Sequence, residues 1–372
     1  MIRLGKIMGI EIIVNYSWFI IIALITWSLA VGVFPQLTPG LSPTLYVIMG
    51  LIAGLLLFAS VLLHELTHSY VARRNGLPVN SIVLFIFGGA SQLTEEPKEP
   101  GVEFRMAIAG PLMSFFLAAV FLAATVAGQL LNFGPFFFGI TSYLWIINLI
   151  LAVFNLVPGF PLDGGRVLRS ILWKAEGNLR RATRQASIVG QSFGYLLIAG
   201  GIYFLFSGAV IGGIWFVFIG WFLAQAAAAS YQQLLVTQVL ERVDVSDVMT
   251  PDPKTVPADI TIRQLVDDYF LKYHYGGFPV MDDGRPVGIV SLADVKDIPR
   301  EAWETEPVRE AARPVTAEVS VGPHDDVSRA LSKMTQHEVG RLAVLESGRL
   351  VGLVTRSDVM RYLQTHPEAE AA

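Results

Sequence analysis

Two histidines and a glutamate stand together near the end of a long apolar segment. His64 and His68 are four residues apart, so on a helix they project from one face and can bind the same metal ion. Glu65 lies beside them and can pass a proton from an attacking water to a leaving amine. The pattern predicts a zinc-dependent hydrolase. The alternative is that both histidines are polar residues that end a membrane span.

A catalytic zinc ion has three protein ligands and keeps its fourth position open. The chain has no cysteine, so the third ligand must be a histidine or a carboxylate. The remaining histidines all lie in the hydrophilic C-terminal part, at positions 274, 324, 337 and 366. Asp163 is the better candidate, because Pro158 and Pro161 end an apolar segment just before it, on the same side of the membrane as His64. Alternatively, Asp163 caps the basic helix that follows.

Together these segments resemble the site-2 protease family of intramembrane metalloproteases, over about residues 1–230. The motifs that carry the resemblance are His64-Glu65-xx-His68 and Asn155-xx-Pro158-xxx-Leu162-Asp163-Gly164. The family implies one zinc ion held by His64, His68 and Asp163, and Glu65 as the general base. It also implies that Asn155 polarises the substrate carbonyl. Without the resemblance, Asn155 is interpreted as an interhelical hydrogen-bonding residue.

A short apolar segment, from Leu77 to Leu93, follows the histidine motif and is too short to span a bilayer. Its alternating, β-branched character predicts a strand or hairpin at the cytoplasmic edge of the membrane. The family resemblance suggests that its edge captures an unwound substrate segment, with Gly88 and Gly89 allowing close backbone approach. The alternative is a hairpin that only packs. We interpret Ala109-Gly110-Pro111, another family-like motif, as a site of helix packing and a kink.

Hydropathy indicates the elements that must position these residues. Of the 372 residues, 53% are hydrophobic and the mean hydropathy is +0.54, too high for a soluble globular protein. Six segments are long enough to span a bilayer: 12–34, 45–70, 105–128, 136–160, 186–207 and 210–231. The loops after the first, third and fifth contain no Lys or Arg, whereas the opposite side is basic. The positive-inside rule therefore predicts a multi-pass protein of the cell membrane with both termini cytoplasmic.

The C-terminal part differs in composition and contains an internal repeat. Residues 1–230 carry a net charge of +4 and residues 231–372 a net charge of −8. Gly284–Val295 matches Gly348–Val359 at an offset of 64 residues. Each copy predicts a helix, two short strands joined by a glycine turn, and a second helix. The doubled unit resembles a pair of CBS (cystathionine-β-synthase) domains over about residues 244–363.

In CBS domains a Ser/Thr-xx-Asp motif binds an adenine nucleotide, with the hydroxyl on a phosphate and the carboxylate on the ribose. The resemblance carries these roles to Ser291 and Asp294 in the first copy, and to Thr355 and Asp358 in the second. The same motif is close to a helix capping box, so capping or dimerisation alone is the alternative. A homodimer through the CBS pair is one expected assembly. The acidic C-terminal part shows no basic patch, which disfavours nucleic acid as a partner.

The predicted fold is a membrane domain of about six transmembrane helices with a short membrane-edge β-segment, followed by an α/β CBS pair. The predicted boundaries are 1–231 for the metalloprotease domain, 232–243 for a helical linker, 244–300 and 301–363 for the CBS repeats, and 364–372 for a disordered tail. We expect a zinc endopeptidase that cleaves transmembrane proteins in the lipid bilayer, controlled by an adenine nucleotide or a partner. The alternative is a channel or transporter gated by CBS domains. It is disfavoured because the ionisable residues cluster at one membrane face instead of lining a path across it.

Overall fold

The computed structural model describes residues 1–85, 88–93 and 97–365, without the side chains of residues 90, 92 and 93. The chain divides into two compact units, Met1–Gln232 and Gln233–Ala372. Most of the predicted tail, residues 366–372, lies outside the described residues, while Gln364 and Thr365 still belong to the last helix.

Long apolar helices dominate the first unit. In chain order the helices up to residue 240 are α1 (Ser17–Ser28), α2 (Phe34–Leu37), α3 (Pro43–Arg74), α4 (Pro100–Leu130), α5 (Gly134–Asn155), α6 (Asp163–Glu176), α7 (Leu179–Phe206) and α8 (Val210–Leu240). A π-helical turn over Leu29–Val33 joins α1 to α2, so the two form one span. Together with α3, α4, α5, α7 and α8 this makes six helices long and apolar enough to cross a membrane in the described part of the chain, which confirms the predicted number of spans.

The ends of these helices differ from the predicted spans for local reasons. The fourth span ends at Asn155 instead of residue 160, because the segment before Pro158 and Pro161 leaves the helix. The fifth begins at Leu179, where the side chain of Asn178 accepts a hydrogen bond from the Arg181 amide and caps the helix. The last span continues without a break to residue 240, so most of the predicted linker is the end of α8.

A four-stranded sheet accompanies the membrane helices. Its strands are β1 (Ile2–Ile7), β2 (Ile10–Val14), β3 (Val79–Phe85) and β4 (Gly88–Leu93), in the order β1-β2-β3-β4. The β3–β4 pair is antiparallel and confirms the predicted hairpin, although its tip at residues 86 and 87 lies outside the described residues. The N-terminal hairpin β1–β2 is not predicted from the sequence, and β2 pairs with β3 in parallel.

The buried face of this sheet holds it against the end of α3. Ile10, Ile12 and Val14 alternate along β2 and form one apolar cluster with Leu66 of α3 and Met106 of α4. Alternation of this kind is typical of a strand with one covered face. Because Leu66 lies between His64 and His68 in sequence, the sheet is anchored at the level of the histidine motif.

The second unit contains two similar halves. Its elements are α9 (Val245–Val248), β5 (Thr250–Pro251), β6 (Val256–Pro257), α10 (Ile262–Gln264), α11 (Leu271–Tyr273), β7 (Gly277–Asp282), β8 (Arg285–Ser291), α12 (Leu292–Lys296), α13 (Val308–Ala311), β9 (Arg313–Pro314), β10 (Ser320–Val321), α14 (Val327–Gln336), β11 (Arg341–Glu346), β12 (Arg349–Thr355) and α15 (Arg356–Thr365). A π-helical turn over Leu265–Phe270 joins α10 to α11, and a 3-10 turn covers Arg300–Ala302.

Strand pairing confirms the internal repeat. Gly277 faces Ser291 across β7 and β8, and Arg341 faces Thr355 across β11 and β12, both at the predicted offset. The two sheets have the orders β6-β7-β8-β9 and β10-β11-β12-β5. The short strand β5 thus lies near the start of the first repeat but pairs with β12 of the second.

Candidate metal centre

Three acceptor atoms converge between α3 and the start of α6. Nε2 of His64 lies 3.1 Å from Nε2 of His68, and Oδ2 of Asp163 lies 3.1 and 3.2 Å from these two nitrogens. In the described residues this is the one group of three or more such side chains whose donor atoms lie close enough to hold a metal ion. A tetrahedral zinc ion with bonds of about 2.0–2.1 Å requires ligand atoms roughly 3.3 Å apart, so the triangle fits zinc in size.

Hydrogen bonds to the second ring nitrogens orient both histidines. Nδ1 of His68 lies 2.7 Å from the Met106 carbonyl, which can only accept, so Nδ1 carries the proton and Nε2 keeps its lone pair. Nδ1 of His64 lies 2.8 Å from the buried hydroxyl of Ser114. Support of this kind is typical of metal-binding histidines. Two ring nitrogens and a carboxylate oxygen this close together need a proton or a metal ion between them, which is a second reason why the residues fit a metal.

Gly110 forms the wall of this site. A Cβ atom at position 110 would collide with Nε2 of His64 and of His68. The interpretation of Ala109-Gly110-Pro111 as a site of helix packing and a kink is therefore incomplete. Gly110 also keeps open the space between the ligand atoms. Gly110 and Ser114 are four residues apart on α4, and the sequence analysis did not assign either to the site.

Asp163 reaches the histidines because the chain turns sharply after α5. Leu162 is the N-cap of α6 and Asp163 is its first residue, so Asp163 is not the cap that the alternative interpretation expected. Gly164 and Gly165 lie so close to the backbone of residues 156–160 that a side chain at either position would collide with it.

Glu65 is not part of the triangle and instead faces β4. Oε2 of Glu65 accepts a hydrogen bond of 2.8 Å from the Ser91 hydroxyl. The backbone of Gly89 is so close that a Cβ atom there would lie 2.6 Å from Cγ of Glu65. The hairpin that carries Gly88 and Gly89 thus lies directly beside the predicted general base. Ser91 is a further contact that the sequence analysis missed.

Asn155, the last residue of α5, stands apart from this arrangement. Its Nδ2 atom donates a hydrogen bond of 3.0 Å to the Leu151 carbonyl of its own helix. No described contact joins its side chain to His64, His68 or Asp163. Its expected role at the substrate carbonyl stays a prediction, as does the alternative of an interhelical hydrogen bond.

A buried ion pair fastens α6 to α4. Glu103 is fully buried and its Oε1 atom accepts a hydrogen bond of 2.6 Å from Nε of Arg169. The Arg169 guanidinium also lies over the Phe160 ring, 5.2 Å from its centre, and Arg166 approaches the same carboxylate to 3.7 Å. Because Asp163 begins α6, this pair fixes the helix that carries the third ligand. In the sequence, the available signal for this ion pair was Glu103, an acidic residue near the start of an apolar segment.

The second unit places the two predicted nucleotide motifs at helix starts. Ser291 and Asp294 form a capping box, with Oδ2 of Asp294 accepting a hydrogen bond of 2.9 Å from the Ser291 amide. Thr355 and Asp358 make the corresponding bonds. The Thr355 amide donates to Oδ2 of Asp358 over 3.1 Å, and the Asp358 amide donates to the Thr355 hydroxyl over 3.2 Å. The capping that the alternative interpretation expected is thus present in both copies.

A cavity of about 280 Å³ adjoins the first of these motifs. Its lining includes Ser291, Asp294, Arg313 and Arg341. Burial raises the pKa of the Asp294 carboxyl, but bonds from Ser291 and Arg313 lower it overall, and Nε of Arg313 lies 2.8 Å from Oδ1. Burial also lowers the pKa of the Arg341 guanidinium. The sequence suggested no basic patch, yet the fold brings two arginines from distant positions to one cavity.

Comparison with known proteins places this geometry in a family. The model of peptidase family M50 matches residues 52–134 and 126–200, which include the histidine motif and Asp163, and the CBS domain model matches residues 245–301 and 308–365. A candidate zinc metalloprotease of Synechocystis sp. is 38% identical over 98% of this chain and 96% of its own length. The chain belongs to peptidase family M50. It is a multi-pass zinc metalloprotease of the site-2 protease type with a tandem CBS pair, which decides against a channel or transporter.

Other relatives of this M50 peptidase match either the whole chain or a part of it. The candidate zinc metalloprotease Rip3 of Mycobacterium tuberculosis is 36% identical over 99% of this chain and 94% of its own. A solved structure, the site-2 protease from Methanocaldococcus jannaschii, is 32% identical and matches 62% of this chain and 94% of its own, with a TM-score of 0.41.

Proposed function

We propose that this M50 peptidase hydrolyses peptide bonds in or near transmembrane segments of other membrane proteins. The observation that carries the proposal is the convergence of His64, His68 and Asp163 at the end of a membrane-spanning helix, with a carboxylate beside them. Charged groups at such a depth are costly and typically serve a function. The same end of α3 continues into Arg73 and Arg74, and we assign it to the cytoplasmic side, with both termini of the chain, by the positive-inside rule.

In this proposal the three ligands hold zinc, and the chain supplies the proton transfers. Zinc bound there supplies a Lewis acid that polarises a carbonyl and makes a water acidic. Glu65 takes the proton from the attacking water and delivers it to the amide nitrogen of the leaving segment. The Ser91 hydroxyl holds Oε2 of Glu65 and leaves Oε1 for the transfer. Asn155 is assigned to the substrate carbonyl, since its Nδ2 atom gives one N–H to the Leu151 carbonyl and keeps a second N–H for the substrate.

The substrate segment must be extended before it can be cut, because a helix satisfies its own amides and hides its carbonyls. In the described part of the chain β4 pairs only with β3, so its other edge is free to add a strand. The strand that carries this edge lies against Glu65 at Gly89. We therefore assign substrate capture to β4, by β-augmentation.

We further propose that the CBS pair controls the peptidase through an adenine nucleotide or a partner protein. The support is the cavity at Ser291 and Asp294, where Arg313 and Arg341 offer cationic groups for phosphate. Thr355 and Asp358 are the corresponding residues of the second copy. A homodimer through the CBS pair is part of the same proposal.

The proposal is tested with Glu65→Gln in the full-length protein reconstituted in lipid. The variant keeps the shape of the side chain but removes the base, so cleavage should fall at least about 100-fold while the zinc content stays at that of the wild type. Membrane proteins that the variant traps by cross-linking should be cut by the wild-type enzyme. Glu99→Gln, at an exposed position before α4, is the matched control and should cleave normally.

Two results would contradict the proposal. One is cleavage by zinc-loaded Glu65→Gln at the wild-type rate. The other is cleavage at the wild-type rate by a correctly folded His64→Ala variant that contains no metal.

A further inference from the structure

A cavity of about 310 Å³ opens where the end of α3 meets the N-terminal hairpin. Its lining is Met8, Ile10, Tyr70, Arg73 and Arg74. None of these residues takes part in the metal centre. The cavity lies at the end of a membrane-spanning helix, about 8 Å along the helix axis from His68. It is therefore placed at the boundary between the bilayer and water.

The two arginines of this cavity retain most of their hydrogen-bonding capacity. Arg73 donates one N–H to the Met8 carbonyl, and the Arg74 guanidinium lies over the Tyr70 ring, 5.0 Å from its centre. A guanidinium has five N–H donors, so several on each side chain stay available. Both arginines are exposed, and in the part of the chain that the structure describes no carboxylate pairs with either of them. The cavity thus offers two unneutralised cations.

The remaining lining is apolar and suits a lipid better than a free ion. Ile10 is 1% exposed and forms the floor, while Met8 and Tyr70 are 59% and 38% exposed at the rim. The adjoining strand β1 also exposes Ile2, Leu4 and Ile7. An aromatic ring and apolar side chains beside cations are typical of the membrane interface.

We propose that this cavity binds the headgroup of an anionic phospholipid. The two guanidinium groups bind the phosphate oxygens, for which their geometry is suited. The apolar rim receives the first part of an acyl chain. Cationic pockets at this depth attract lipids with a net negative charge. The site would hold a lipid on the same helix that carries His64 and His68.

The test uses the purified full-length protein in neutral detergent. Short-chain phosphatidylglycerol is titrated in, and retained lipid is followed by native mass spectrometry, with zwitterionic phosphatidylcholine as the comparison of zero net charge. Arg73→Gln/Arg74→Gln should weaken retention of phosphatidylglycerol by roughly tenfold or more. The control, Arg181→Gln/Arg184→Gln, removes two exposed arginines from α7 outside the cavity and should retain it normally.

Zinc content and thermal unfolding show whether each variant is folded. Should the double variant fail to fold, Arg74→Gln alone is used, since Arg74 makes no described bond to the hairpin, and several-fold weaker retention is expected. Equal retention of the two lipids, or equal weakening by the control variant, would overturn the proposal. Displacement of the lipid by millimolar inorganic phosphate would assign the cavity to a free anion and overturn it as well.

Discussion

Nε2 of His64 and Nε2 of His68 face each other across 3.1 Å, and Gly110 lies against both atoms. Since glycine has no side chain, the backbone of α4 can approach the ligand atoms and still leave room for an ion. A methyl group there would occupy part of that room. At the scale of residues, the metal centre depends on this small residue as much as on its three ligands.

Gly110→Ala should therefore remove most of the bound zinc and, with it, the peptidase activity. The expected result is a zinc content far below one ion per chain, measured by elemental analysis of protein purified in detergent. Gly200→Ala in α7 is the control, because a Cβ there meets no atom within 4 Å. Normal zinc binding by Gly110→Ala would show that α4 can move away from the histidines.

The hydrogen bond from Ser91 to Glu65 gives a second prediction at this scale. Ser91→Ala should lower kcat by roughly tenfold, because a hydrogen bond to a charged group is lost, while zinc content and KM stay near the wild-type values. Ser91→Thr keeps the hydroxyl and should restore most of the rate. A loss of zinc, or equal effects of the two substitutions, would contradict a positioning role.

The three side chains that cluster could be predicted from the sequence, but the residues that support them could not. Two histidines one helical turn apart and a carboxylate after a proline break are local patterns. Ser114 and the Met106 carbonyl act through contacts with residues 50 and 38 positions away. No spacing rule connects such residues. Their identity follows only from how α3 packs against α4.

At the scale of elements, the position of α6 depends on the ion pair between Glu103 and Arg169. Glu103 is fully buried, so it relies on the arginines for its charge to be tolerated. The pair connects the start of α4 to the second turn of α6, while Asp163 stands in the first turn. A shift of α6 would therefore move the third ligand.

Arg169→Met should destabilise the protein by about 3–5 kcal/mol, because it leaves a buried carboxylate without its main partner. The thermal unfolding midpoint should fall, and zinc affinity with it. Arg166→Met, at 3.7 Å and partly exposed, should have a clearly smaller effect. Adding Glu103→Met to Arg169→Met should recover stability, since both charges are then gone. No recovery would mean that Arg169 acts through its other contacts.

Elements with a strong local pattern were predicted, and those made by distant pairing were not. The six helices follow from long apolar runs. The hairpin β1–β2 was missed because β2 has only five residues and owes its burial to β3, which lies about 70 residues further along the chain. The end of α8 was also predicted as a separate linker, although no Gly or Pro interrupts it between Trp221 and Leu240.

At the scale of the whole molecule, the second unit should act as a nucleotide sensor. ATP, ADP and AMP are titrated onto the full-length protein by calorimetry. Arg341→Met should weaken binding by roughly tenfold, because it removes a half-buried cation from the cavity, whereas the exposed Arg349→Met should not. Saturating nucleotide should also change the rate of substrate cleavage. Absence of binding, or equal effects of the two variants, would assign Ser291 and Asp294 to capping alone.

The two repeats of the CBS pair exchange short strands, and this limits how far one repeat can change its conformation without the other. The sheet of the second repeat is completed by β5, from the start of the first repeat, while β9, from the start of the second repeat, completes the sheet of the first. Neither repeat can loosen its sheet without disturbing a strand that belongs to the other. We therefore expect the two repeats to respond to a bound ligand together, as one cooperative unit.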